Sequence, residues 1–172
     1  MPGFEVEVSG RVAAPPVLVW EALTDLSSVA EWLDRVDEVD AGPEPVAGEG
    51  RWRVGRRWVV GGIVEVEPRR KLVLVLREAT SLVRQVRVAI RIAPGDRGTA
   101  FHVHLAGDAA GIATPLRPWL RLRAEIELHR AVRGFRAWIE ERARPERAPA
   151  AIAAAPALVP AAHLGDVDFV GA

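Results

Sequence analysis

The chain has 172 residues, 49% of them hydrophobic, and its 23 basic and 23 acidic residues leave no formal net charge. That length suits one domain with a substantial core, and the charge balance removes any general attraction to nucleic acid or an anionic membrane surface. Cysteine and tyrosine are absent, which excludes disulfides, thiolate metal sites, thiol nucleophiles and phenolic acid–base chemistry. No run of about 18 apolar residues occurs, and the chain opens with strand-like alternation instead of a signal peptide. The expectation is a cytoplasmic protein without an integral membrane segment.

Taken in order, Phe4, Val6, Val8 and Val12 alternate with Glu5, Glu7, Ser9 and Arg11, the pattern of a strand with one buried face. Pro15-Pro16 ends it and opens a short helix over Val17–Thr24. Ser28 followed by Glu31 reads as a capping box for a second short helix carrying Val29, Trp32 and Leu33. Val36–Ala41 is a short strand, and Gly42–Gly50 a Gly/Pro-rich turn.

A series of strands follows. Arg51–Gly55 alternates Trp52 and Val54 with Arg51 and Arg53. Arg57–Glu67 carries Trp58, Val60, Val64 and Val66, with Gly61-Gly62 suggesting a bulge or bend. Lys71–Ala79 is apolar on both faces from Leu72 to Leu76. Leu82–Ile92 sets Val86, Val88, Ile90 and Ile92 against Arg87 and Arg91. After a turn at Pro94–Gly98, Thr99–Leu105 sets Phe101, Val103 and Leu105 against His102 and His104. Short strands joined by turn residues argue for an antiparallel meander.

The longest element comes last. Thr114-Pro115 predicts a helix start, and Leu116, Leu120, Ala124, Leu128, Ala131, Phe135 and Trp138 then recur at spacings of three and four up to Arg144. Beyond it, residues 145–172 are rich in alanine and proline and lack periodicity, which predicts a disordered tail. Its Leu164–Val170 segment is a candidate docking peptide for this domain or a protein partner.

Strand, two short helices, six strands and a long helix is the order of the helix-grip (Bet v 1-like) fold. The chain resembles the START-related (SRPBCC) superfamily, in particular its polyketide cyclase/dehydrase and lipid-transport branch. The resemblance runs from about Phe4 to Arg142. It is carried by Val12-Ala13-Ala14-Pro15-Pro16 leading to Val19-Trp20-Glu21-Ala22-Leu23-Thr24-Asp25, by Trp32 followed by Val36, by Gly50, and by Val64-Glu65-Val66-Glu67-Pro68 leading to Lys71-Leu72. It implies an α+β architecture, with a curved seven-stranded antiparallel sheet wrapped around the long C-terminal helix and a cavity between them. The domain then spans 1–144 and the tail 145–172.

Alternation assigns the lining of that cavity. Trp52, Val54, Trp58, Val60, Val64, Val86, Val88, Phe101 and Val103 are expected to face inward, with Leu74 and Trp32 beside them, while arginine and glutamate face out. Such a lining suits a hydrophobic small molecule bound by burial; solid packing by the same side chains is the alternative. Trp119, Leu122 and Ile126 form a second apolar patch on the long helix, away from the main stripe, with Arg123 and Glu127 beside it. The patch is expected either to be covered by the short helices or to line the cavity mouth. Glu78, Thr80 and Gln85 are possible polar contacts at one end. His102 and His104, two apart on one strand, are expected to face solvent, and no metal or other cofactor is expected.

The first expectation for function is a binding or carrier protein for a lipid, isoprenoid or polyketide-like molecule. The alternatives are a polyketide cyclase, aromatase or dehydratase-like enzyme using general acid–base chemistry, and an interaction module acting through the C-terminal tail. For the enzyme, Arg123, Glu127 and His129 are the candidate groups, but no nucleophile–base–orienter set can be assembled from them.

Overall fold

The structure is a computed structural model that describes residues 3–41, 49–77, 82–109 and 115–144. The tail, the turn at 42–48, Glu78, Thr80 and Thr114 lie outside the described residues. The elements run β1 (Phe4–Val12), α1 (Pro16–Thr24), a 3-10 turn (Leu26–Ser28), α2 (Val29–Trp32), β2 (Val36–Ala41), β3 (Glu49–Val54), β4 (Arg57–Glu67), β5 (Lys71–Arg77), β6 (Val83–Gly95), β7 (Gly98–Ala109) and α3 (Arg117–Arg142). The strands form one antiparallel sheet of seven in the order β1-β7-β6-β5-β4-β3-β2. With the long C-terminal helix packed across it, this is a helix-grip fold.

Period-two alternation sets which side chains meet α3. Val6 and Val8 of β1 pair with Leu105 and Val103 of β7, and all four join Leu128 of α3 in one apolar cluster. Phe4, Val83 and Leu120 form a second cluster at one end of the helix. At the other end Val12, Ala14, Val19, Ile92, Phe135, Ile139 and Ala143 are all buried together. The helix spans 26 residues, about 39 Å at 1.5 Å per residue. Its sheet-facing residues are Leu120, Leu128, Phe135 and Ile139, but Leu116, expected to begin that stripe, is 42% exposed because regular helix starts only at Arg117.

The second half of α3 is locked to α2. Gly134 lies against the Trp32 carbonyl, where a Cβ would come within 2.3 Å of the oxygen. The Trp32 and Phe135 rings meet edge to face with centroids 5.2 Å apart, an attractive geometry for two quadrupoles. Glu31 accepts hydrogen bonds from Trp138 Nε1 and the Arg142 guanidinium, and Arg142 stacks 4.1 Å over the Trp138 ring. These contacts fix the Gly134–Arg142 part of α3 against α2.

Three local expectations are corrected. Ser28 is not a capping residue: its hydroxyl donates back to the carbonyls of Asp25 and Ala22, its backbone is already helical, and it is buried. Asp25 caps instead, accepting from the Ser27 N–H at 3.1 Å. The bulge falls at Val64, between the pairs Ile63–Leu74 and Glu65–Val73, not at Gly61-Gly62. Gly61 serves close packing, since a Cβ there would lie 2.7 Å from Leu76 Cδ2 and 2.8 Å from Trp52 Cζ3. Finally, β6 and β7 run on to Gly95 and Gly98, so the Pro94–Gly98 turn shrinks to Asp96-Arg97.

Candidate functional site

Two groups of described residues cover the inner face of the sheet. Around Val12, Val19 and Ile92 it is sealed by α1 and the second half of α3. Towards β3–β6 the cover comes from Trp20, Leu23, Leu26, Val29 and Leu33, which pack with Val36, Trp52, Ile63 and Leu72. Val54, Leu74, Leu76, Val86 and Val88 remain only half-buried on the same inner face. These side chains form the accessible apolar part of the inner face among the described residues.

Pairing decides which residues line it. Trp52 stands opposite Val59, and the two-residue turn Gly55-Arg56 keeps β3 and β4 in simple register, with Gly55 at φ 62°. Directly paired residues share a face. Val59, Gly61 and Ile63 therefore join Trp52 on the inside, whereas Trp58 and Val60 pair with Arg53 and Arg51 on the outside. Trp58 is 37% exposed with the Arg51 guanidinium 5.0 Å from its ring centroid. Val64 sits at the bulge and is 56% exposed. The inward assignment of Trp58, Val60 and Val64 is thus overturned. Their strand is apolar on both faces, so alternation alone leaves its phase open, and the turn length is the signal that settles it.

The other residues expected to face inward do so. Trp52 and Val103 are buried, Phe101 is half-buried with its ring over Gly10, and Leu74 pairs with Val88 and Ile63 while Val86 pairs with Leu76. Trp32 lies at the α2–α3 junction. The indole N–H groups of Trp32 and Trp52 are buried without a hydrogen-bond partner among the described residues. A buried donor left unsatisfied costs about 1–3 kcal/mol, so each is a ready donor to an oxygen that reaches it. Sequence reasoning missed Val59, Ile63 and Leu76 on this face, and Arg35 near it.

The charged groups beside the helix are mutually engaged. Glu127 Oε1 lies 3.0 Å from Arg35 and 3.5 Å from Arg123, and its other oxygen 3.2 Å from Arg130. Arg35 leads into β2, so this carboxylate ties the α2–β2 connection to the first half of α3. Both oxygens of this carboxylate are therefore already engaged by guanidinium groups.

Trp119, Leu122 and Ile126 are 53%, 56% and 47% exposed. At 100° per residue, Leu122 and Ile126 point away from Leu120 and Leu128. Their exposure corrects the expectation that the short helices cover this patch. Gln85 is exposed opposite Arg77 and Asp108 on the outer face.

His102, His104 and Glu65 lie on the outer face of the sheet. His102 Nδ1 is hydrogen-bonded to Ser9 Oγ at 2.8 Å, and His104 Nε2 is 3.8 Å from Glu5. Glu65 is held by Lys71 and, at 3.3 Å, by Arg87. The Lys71 hydrogen bond lowers the Glu65 carboxyl below its ordinary value of 4.5, partly offset by desolvation and assisted by the charges of Lys71, Arg87 and Arg91. A separate groove of about 420 Å³ is lined by Ala13–Pro16, Pro94, Gly95, Arg97, Gly98 and Ala143, among which Arg97 is the one charged residue.

Against known proteins, the sequence matches the family described as polyketide cyclase / dehydrase and lipid transport over residues 3–140. The chain belongs to that family. No curated protein sequence matches it significantly. Among solved structures, the di-domain ARO/CYC StfQ from the steffimycin biosynthetic pathway superposes with a TM-score of 0.69 at 16% identity, over 81% of this chain and 51% of that one. The chain thus spans about half the length of that di-domain protein. Ara h 8.0201 gives 0.66 at 11% identity, over 80% and 97% of the two chains. A Thermus thermophilus protein gives 0.64 at 17% identity, over 83% and 98%. At these identities the likeness establishes the helix-grip fold. Among the described residues, no helix is long and apolar enough to cross a membrane.

Proposed function

We propose that the protein binds and carries a hydrophobic small molecule (lipid, isoprenoid or polyketide-like) in the cleft between β3–β6 and the first half of α3. The observation that carries this reading is the half-buried apolar set Val54, Leu74, Leu76, Val86 and Val88, facing inward on a sheet whose charged groups face out except for Arg57, the partner of Val54 at the end of β4. Covering such surface is favourable by about 25 cal/mol per Å², and a flexible apolar guest conforms to a lining without fixed polar partners. The unpartnered indole N–H groups of Trp32 and Trp52 add a preference for a guest bearing a carbonyl or hydroxyl oxygen. Native mass spectrometry of full-length protein purified without detergent tests the proposal. A co-purifying apolar species released by organic solvent supports it. Protein that is ligand-free and fails to enhance the fluorescence of an anilinonaphthalene probe overturns it.

The family description also favours a cyclase or dehydratase reading. That chemistry needs an acid or base facing the cleft, and Glu127 with Arg123 is the nearest set, engaged as described above. Turnover of a polyketide-like substrate that is lost in Glu127→Gln would favour the enzyme over the carrier.

A further inference from the structure

The first half of α3 carries an apolar patch that the described fold leaves uncovered: Trp119, Leu122 and Ile126, each about half exposed. Arginine frames it. Arg123 and Arg130 flank it, and Arg133 lies seven residues beyond Ile126 on the same side of the helix. Arg123 and Arg130 share Glu127, whereas Arg133 has no ion pair among the described residues. From Arg117 to Arg133 there are five arginines (117, 121, 123, 130, 133) and two glutamates (125, 127), a net charge of +3 with His129 neutral. Two copies meeting through this patch would bring like charge onto like charge, which argues against self-association.

We propose that the Leu164–Val170 segment of the same chain docks on this patch. Its sequence sets Leu164, Val167, Phe169 and Val170 beside Asp166 and Asp168, apolar side chains with a net charge of −2. Size and sign therefore both complement the patch. Reach does too. Ile126 is 18 residues back from Arg144, about 27 Å along the helix. Twenty residues separate Arg144 from Leu164, and a chain of that length can extend to about 66 Å, so the tether is long enough to return the segment to the patch. The proposal is independent of what the cleft binds.

Paramagnetic NMR on the full-length chain tests it. The absence of native cysteine lets Gly165→Cys carry a single nitroxide, and the six tryptophans give separate indole N–H signals, with Trp119 assigned through Trp119→Phe. The Trp119 signal is expected to lose more than half its intensity while Trp58, on the outer face of the sheet, keeps its own. Adding Asp166→Lys with Phe169→Ser is expected to restore Trp119. Equal broadening of both signals, no broadening of Trp119, or no recovery in the double variant overturns the proposal. Broadening that appears when spin-labelled chains are mixed with unlabelled ¹⁵N chains assigns the docking to separate copies and overturns it too. So does a Trp119 response obtained only with phosphatidylserine vesicles, which assigns the patch to a membrane.

Discussion

Gly134 presents its bare Cα to the carbonyl oxygen of Trp32, so closely that a Cβ would sit 2.3 Å from that oxygen. This contact lets the short α2 lie directly on α3 and brings Trp32 edge-on to Phe135. Gly134→Ala gains up to about 1 kcal/mol of helix propensity but forces two backbones apart, an overpacking cost of about 1–3 kcal/mol. The expected result is a net loss of about 1–2 kcal/mol in urea unfolding. A variant as stable as the parent would mean that α2 moves off the helix freely.

Ligand binding is expected to separate two changes of similar size. Leu74→Trp places an indole in the cleft opposite Ile63 and Val88 and should weaken binding of an apolar probe by tenfold or more without loss of the folded state. Trp58→Ala removes a large aromatic from the outer face and should leave probe affinity within twofold. Fluorescence titration decides between them, and equal effects would put the binding surface elsewhere.

Glu127→Gln releases Arg35, Arg123 and Arg130 from a shared carboxylate. All four groups are substantially solvated, so each pair is worth only about 0.2–1 kcal/mol. The expected loss of stability at low ionic strength is about 1 kcal/mol in total. It should shrink as salt screens the pairs, which thermal unfolding across a salt series measures. A salt-independent loss would point to packing instead of charge.

Glu65 gives the outer face a pH response. Because Lys71 holds its carboxyl below 4.5 in the folded chain, the folded state binds this proton less readily than the unfolded one. The stabilisation is therefore fully present above the ordinary carboxylate value and is lost as pH falls through the lowered folded one. Comparing melting temperatures at pH 7 and pH 3.5 should show a smaller acid-induced fall in Glu65→Gln than in the parent. The site is exposed, so the difference is small, and a larger fall in the variant would contradict the assigned direction.

The element order and the facing of β1, β6 and β7 could be read from the chain because their cue is local. Each of these strands alternates apolar with polar residues, and one buried face leaves one possible phase. The sheet-facing stripe Leu120, Leu128, Phe135 was legible for the same reason, since a helix turns 100° per residue whatever it packs against.

Only tertiary structure decided the rest. Strand β4 is apolar on both sides, so its phase came from its partner through the Gly55-Arg56 turn, which sent Trp58 and Val60 outward and brought Val59 and Ile63 in. The sequence also displays Trp119, Leu122 and Ile126 as a patch but says nothing of what covers them, because cover is supplied by elements distant along the chain. Whether an apolar side chain ends as core, cleft or open surface depends on those partners. Residue type and spacing determined the fold and the apolar character of the inner face, and packing determined which of its side chains stayed half-exposed.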